Sequence, residues 1–66
     1  MVQKVIDILG MSEKSFSDAA DNAIQVASQT VRNIISARVD EMDCIVENGR
    51  IKKYRTLMRI YFEVER

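Results

Sequence analysis

A chain of 66 residues is one domain, residues 1–66, with room for only a small core. Ten basic residues against ten acidic ones exclude the basic excess of a general nucleic-acid binder, and the absence of histidine excludes imidazole metal ligation and a histidine base. With one cysteine, no run as long as a membrane span and no signal peptide before the first strand, the expectation is a cytoplasmic protein, off the membrane, that gains stability by associating with copies of itself.

Val2 to Leu9 is β-branched and apolar and predicts a first strand, with Val5, Asp7 and Leu9 on one face and Ile6 and Ile8 on the other. Gly10 reads as the turn glycine that ends it. Ser12 then fits a helix N-cap, with Glu13 in the first turn and Met11 beside Phe16 as a staple. Apolar residues at Phe16, Ala19, Ala20, Ala23, Ile24, Ala27, Val31 and Ile34 form one stripe, which predicts a long helix from Glu13 to about Ile34. The stripe is rich in alanine, so the helix can lie close to a sheet, although each side chain adds little burial energy.

Ile35 to Glu47 reads as a second strand. Asn48-Gly49 follows, the strongest short hairpin signal, because both residues tolerate positive φ. From Lys52 to Val64 the even positions Tyr54, Thr56, Met58, Ile60, Phe62 and Val64 are nearly all apolar and most odd positions are charged, the alternation of a half-buried third strand. A two-residue turn sets Glu47 opposite Arg50. It predicts Ile35 against Phe62, Ala37 against Ile60 and Val39 against Met58 on the inner face. A right-handed crossover then gives an α+β fold: strand-helix-strand-strand, a three-stranded antiparallel sheet in order 1-3-2, packed on one long helix.

On the outer face the same register pairs Ser36 with Tyr61, Arg38 with Arg59, Asp40 with Leu57 and Met42 with Arg55. Arg38 opposite Arg59 is a like-charge pair and unfavourable alone. It calls for a carboxylate from a neighbouring subunit (Glu63, Glu65 or Asp40) or for an anionic ligand held by Arg38, Arg55 and Arg59. Asp40, Glu41, Asp43 and Glu47 crowd the end of the second strand. Such oxygen ligands can hold calcium or magnesium, but strand alternation divides them between two faces, and ion pairing, for example to Lys52 and Lys53, competes. Cys44 has no histidine to activate it, and no other constellation suggests catalysis, so the expectation is that the chain is not an enzyme.

The run from Lys4 to Gly10 (KVIDILG), Ser12 and Phe16, the alanine-rich helix, Thr30 to Ile34, the Asn48-Gly49 hairpin and Tyr54 together resemble the dodecin family, over Val2 to about Glu65. The resemblance implies a subunit of a hollow spherical dodecamer that stores flavin without catalysis. In that family paired flavins sit near two-fold axes between tryptophans of the second strands, and a glutamine of the third strand reaches the ring edge. Ser36 stands at the tryptophan position and Arg55 at the glutamine position. Serine lacks the stacking area that an isoalloxazine ring needs, and arginine donates but cannot accept. Tyr61, across from Ser36, is the nearby aromatic. The chain is more similar to the branch without the tryptophan, for which calcium has been proposed as ligand. The expected function is non-catalytic binding or sequestration of a small ligand or ion by a homo-oligomer with an altered flavin pocket. Flavin storage with residual affinity and a purely structural or interaction module are the alternatives.

Overall fold

The computed structural model describes residues 2–64. Strand β1 spans Val2–Ser12, helix α1 Phe16–Ala27, strand β2 Ile34–Glu47 and strand β3 Arg50–Val64. The sheet is antiparallel in the order β1-β3-β2, as the crossover argument requires. The alternation of β3 sorts its side chains as expected: Thr56, Met58 and Ile60 are buried beneath the helix. Ala19, Ala23 and Ala27 close down on them, and Ile6, Ile8, Ala20, Ile24 and Ile34 pack around this centre. Thr56 is the polar member of the row, and its hydroxyl donates to the Phe16 carbonyl at 3.1 Å. Tyr54 meets Phe16 edge-on, with ring centroids 4.9 Å apart.

Gly10 does not end the first strand. It lies inside β1, opposite Thr56, and is buried. A Cβ there would overlap the backbone carbonyl of Ala19 and come within 2.9 Å of Ala23 Cβ. The glycine is therefore a contact point, set by the close seating of an alanine-faced helix. Ser12 is not the N-cap. It is still paired in β1, and its Oγ donates to Asp18 Oδ2 at 2.6 Å while accepting from the Lys14 amide at 2.9 Å. Ser15 caps the helix instead, its Oγ accepting from the Asp18 amide at 2.9 Å. Met11 is 46% exposed, while Phe16 takes Tyr54 as its ring partner.

The helix is also shorter than its stripe implies. It stops at Ala27, and the amides of Ser28 to Val31 bond back in a closing turn. Asn33, at φ 62°, then reverses the chain into β2. Val31 and Ile34 keep the helical spacing but are carried on this turn and strand. The β-branched Thr30 and Val31 are weak helix formers, and the chain must return to the sheet here.

Glu47 pairs with Arg50 across Asn48 (φ 54°) and Gly49 (φ 74°), so the two-residue turn forms as predicted. Ala37↔Ile60 and Val39↔Met58 hold as well. The remainder of β2 departs from the regular ladder in three places. Ile34, not Ile35, faces Phe62, and Ile35 is an extra residue, 53% exposed. Asp40 is extra between Val39↔Met58 and Glu41↔Leu57, and Lys52 is extra between Ile45↔Lys53 and Val46↔Ile51. The last two sit on opposite strands and cancel. Between them the register is shifted by one residue, so Glu41 meets Leu57 and Asp43 meets Arg55, where an unbroken ladder sets Asp40 and Met42.

Candidate functional site: the outer face of the sheet

Strand pairing brings five of the predicted residues onto the face away from the helix. Ser36 lies opposite Tyr61, Arg38 opposite Arg59, and Arg55 occupies the same row of β3. The bulge at Asp40 alters what these arginines see. Asp40 Oδ1 sits 3.2 Å from Arg38 Nη2, and Asp40 Oδ2 sits 3.7 Å from Arg59 Nη2. Asp7, directly across from Arg59 on β1, accepts from its Nε at 3.3 Å. The like-charge pair is thus relieved within one chain, by an arginine–aspartate alternation that runs across all three strands. Glu65, one of the expected partners, lies outside the described residues. The hydrogen bond from Arg59 to Asp7, with the charges of Asp7 and Asp40 behind it, holds the Arg59 guanidinium protonated even more firmly than usual.

A second ion pair lies one step toward the hairpin. Arg55 Nε and Nη2 each donate to one Asp43 oxygen at 2.6 Å, a bidentate clasp. The hydrogen bond from Arg55 holds the Asp43 carboxyl below the ordinary carboxylate range and raises the arginine in return. Asp43 and Arg55 meet because the register shift sets them opposite each other. The clasp lines a hollow of about 190 Å³ together with Leu9, Glu41 and Leu57. Glu41 has no ion-pair partner among the described residues, so this hollow carries a net negative charge. A wider hollow of about 360 Å³ lies between Val5, Asp7, Arg59 and Tyr61.

Of the four carboxylates at the end of β2, Asp40, Glu41 and Asp43 all serve the outer face, because the bulge lets adjacent residues share a side. Glu47 is apart, pairing with Lys52 at 3.1 Å at the hairpin. No group of three or more acidic or cysteine side chains stands close enough to hold a metal ion within one chain, among the described residues. Cys44 is exposed. Asp7 and Leu9 of β1 join this face without having been predicted as site residues, beside Leu57, which the predicted hairpin register already set there. The β1–β3 register places Asp7 and Leu9, and no turn joins those two strands to announce it.

A βαββ subunit with an antiparallel sheet ordered 1-3-2, a helix on one face and a charged open face on the other is a small α+β sheet-and-helix fold. The sequence model of the dodecin family matches residues 2–65. The chain is 40% identical over 63 residues to the calcium dodecin of Mycobacterium tuberculosis, covering 96% of this chain and 89% of that one. The solved structure of a calcium dodecin from that organism, described as calcium-chelating with a novel calcium-binding site, superposes with a TM-score of 0.86 at 41% identity over 98% and 93% of the two chains. Dodecin from Streptomyces davaonensis superposes with a TM-score of 0.95 at 29% identity over 98% and 96%. The chain belongs to the dodecin family.

Proposed function

We propose that the chain is a non-catalytic binding and sequestration protein that works as a homo-oligomer, the hollow dodecamer of its family, and takes a small ligand or ion on the outer face of its sheet. The observation that carries the assembly is a mismatch between surface and core. The radius of gyration is 13.5 Å, where a compact chain of this length has about 11 Å. The accessible surface is 4935 Å², where a monomer of this mass has about 4,300 Å². Val39, Met42, Val46 and Ile51 along the β2–β3 hairpin are all close to half exposed or more. A subunit of this shape gains from partners what its core lacks.

A divalent cation is the ligand this face favours. Arg38, Arg55 and Arg59 spend donors on Asp40, Asp43 and Asp7 that an anion would need. Glu41 adds uncompensated negative charge beside Asp43. The 40% identity to a calcium dodecin supports the same choice. Asp40, Glu41 and Asp43 are the proposed ligands on this face, with Glu47 set apart at the hairpin and more than one subunit needed to complete a shell of six to eight oxygens. The flavin pocket is altered: Ser36 offers no stacking surface, and Arg55 is clasped by Asp43. A second reading, residual flavin binding with Ser36, Arg38, Arg55, Arg59 and Tyr61 as contacts, is favoured only by the hollow where Tyr61 stands beside Arg59.

Size-exclusion with mass and absorbance detection tests assembly and chromophore together. The expected result is a colourless species of twelve 7.6 kDa chains; a monomer or dimer overturns the assembly, and a yellow species supports the flavin reading. Calcium titration by calorimetry, before and after chelation, tests the ion. Heat and a raised melting temperature are expected, and neither appearing would remove calcium as the ligand.

A further inference from the structure

Both oxygens of Asp43 are taken. Arg55 Nε holds one and Arg55 Nη2 the other, each at 2.6 Å, so the guanidinium fork spans the edge of the carboxylate. That edge is also what a carboxylate offers to a hard cation. A metal ion and this guanidinium therefore cannot both take it. Asp40, on the same face, is held less closely. One of its oxygens meets Arg38 at 3.2 Å and the other meets Arg59 at 3.7 Å, each through a single nitrogen. Glu41 lines the hollow that Asp43 and Arg55 share.

We propose that Arg55 is a built-in competitor for the cation of this face: it occupies Asp43 as a resident positive charge, and a divalent ion gains Asp43 only by displacing the guanidinium. The inference rests on the outer face taking a cation, and it names the residue that sets how tightly. Two effects oppose the ion. It must replace two charge-assisted hydrogen bonds. It must then sit close to a displaced guanidinium that cannot go far, because Arg55 is fixed in β3 between Met11 of β1 and Asp43 of β2. The proton meets the same opposition. The hydrogen bond from Arg55 keeps the Asp43 carboxyl ionised below its ordinary range, so the lone pairs that a proton would take are already engaged. The competition is between two partners of one carboxylate, so it holds whichever subunit supplies the remaining oxygens. A site of this kind binds weakly and releases readily, as sequestration with release requires.

Calcium is titrated by calorimetry into the assembled, chelator-treated parent and into Arg55→Gln, Lys53→Gln and the double variant Asp43→Asn/Arg55→Gln. Arg55→Gln is expected to bind calcium at least about tenfold more tightly than the parent, a gain that structural damage would not produce. Lys53→Gln removes the same charge from the same row of β3, and Lys53 has no ion-pair partner among the described residues. It therefore reports the general electrostatic effect, and a change under about threefold is expected. The double variant should lose the gain, because Asp43 is no longer there to be freed. Arg55→Lys, which keeps the charge but not the fork, takes the place of Arg55→Gln if that variant fails to assemble, with a smaller gain expected. If the parent binds calcium and Arg55→Gln binds no more tightly, the inference is overturned and the calcium reading stands. The same holds if Lys53→Gln matches the gain or the double variant keeps it. Binding by Arg55→Gln alone supports the inference and overturns calcium as the parent's ligand, and heat from none of the proteins overturns both.

Discussion

The two sides of β3 are held by different means. Toward β1 the ladder runs without interruption through eleven pairs, from Val2↔Val64 to Ser12↔Tyr54. Toward β2 it is broken three times. The β1 side lies under the helix, where a slip would drive Ile6 and Ile8 out of the core and bring Val5, Asp7 and Leu9 in. Within one subunit the helix leaves the β2 side uncovered. Burial beneath the helix enforces the register on the β1 side, and within one subunit nothing comparable acts on the β2 side.

The comparison is broken most severely at the seat of the helix. Gly10→Ala sets a methyl against the Ala19 backbone, which cannot yield as a flexible side chain would. A loss of about 3 kcal/mol is expected, read as a lowered urea midpoint. Ile60→Ala, at a fully buried position, should cost a similar ~3 kcal/mol. Val39→Ala, 45% exposed on β2, should cost under about 1 kcal/mol in the subunit. If Val39→Ala instead matches Ile60→Ala and the assembly dissociates at lower denaturant, the β2 side is buried between subunits as deeply as the β1 side is buried within one.

Smaller effects sharpen the contrast. Gly49→Ala meets no steric obstacle but keeps a φ of +74°, so a cost of about 1 kcal/mol is expected from backbone strain alone. Ser15→Ala should remove about 1 kcal/mol by leaving the Asp18 amide uncapped. Equal melting temperatures for Ser15→Ala and the parent would show that the cap is dispensable.

The smallest effect is that of acid on the clasp. Arg55 holds Asp43 below its ordinary value, so the folded carboxyl ionises more readily than the unfolded one. Its stabilising contribution is therefore complete above the unfolded value and is lost as pH falls through the folded one. Urea midpoints measured from about pH 5 down to pH 2 should fall slightly less steeply in Asp43→Asn than in the parent. Parallel curves would mean that the clasp adds nothing to folding.

Much of this protein could be read from residue order alone. Strand order, the Asn48-Gly49 turn and the apolar row of β3 follow from local rules: a period of two, a positive-φ pair and the handedness of a crossover. The resemblance to dodecins was legible for the same reason, since it rests on the spacing of those signals. Tertiary structure decided the rest. Gly10 looked like punctuation until a helix pressed on it. Ser12 was drawn into the sheet and left the cap to Ser15, and Val31 and Ile34 kept a helical rhythm in a chain that had already turned. Asp40 is the sharpest case. Alternation divided the carboxylates between two faces, yet one bulge put Asp40, Glu41 and Asp43 on the same side as three arginines. A bulge leaves no mark in a binary pattern. It brings together charges from three strands, which can meet only when the strands are already side by side.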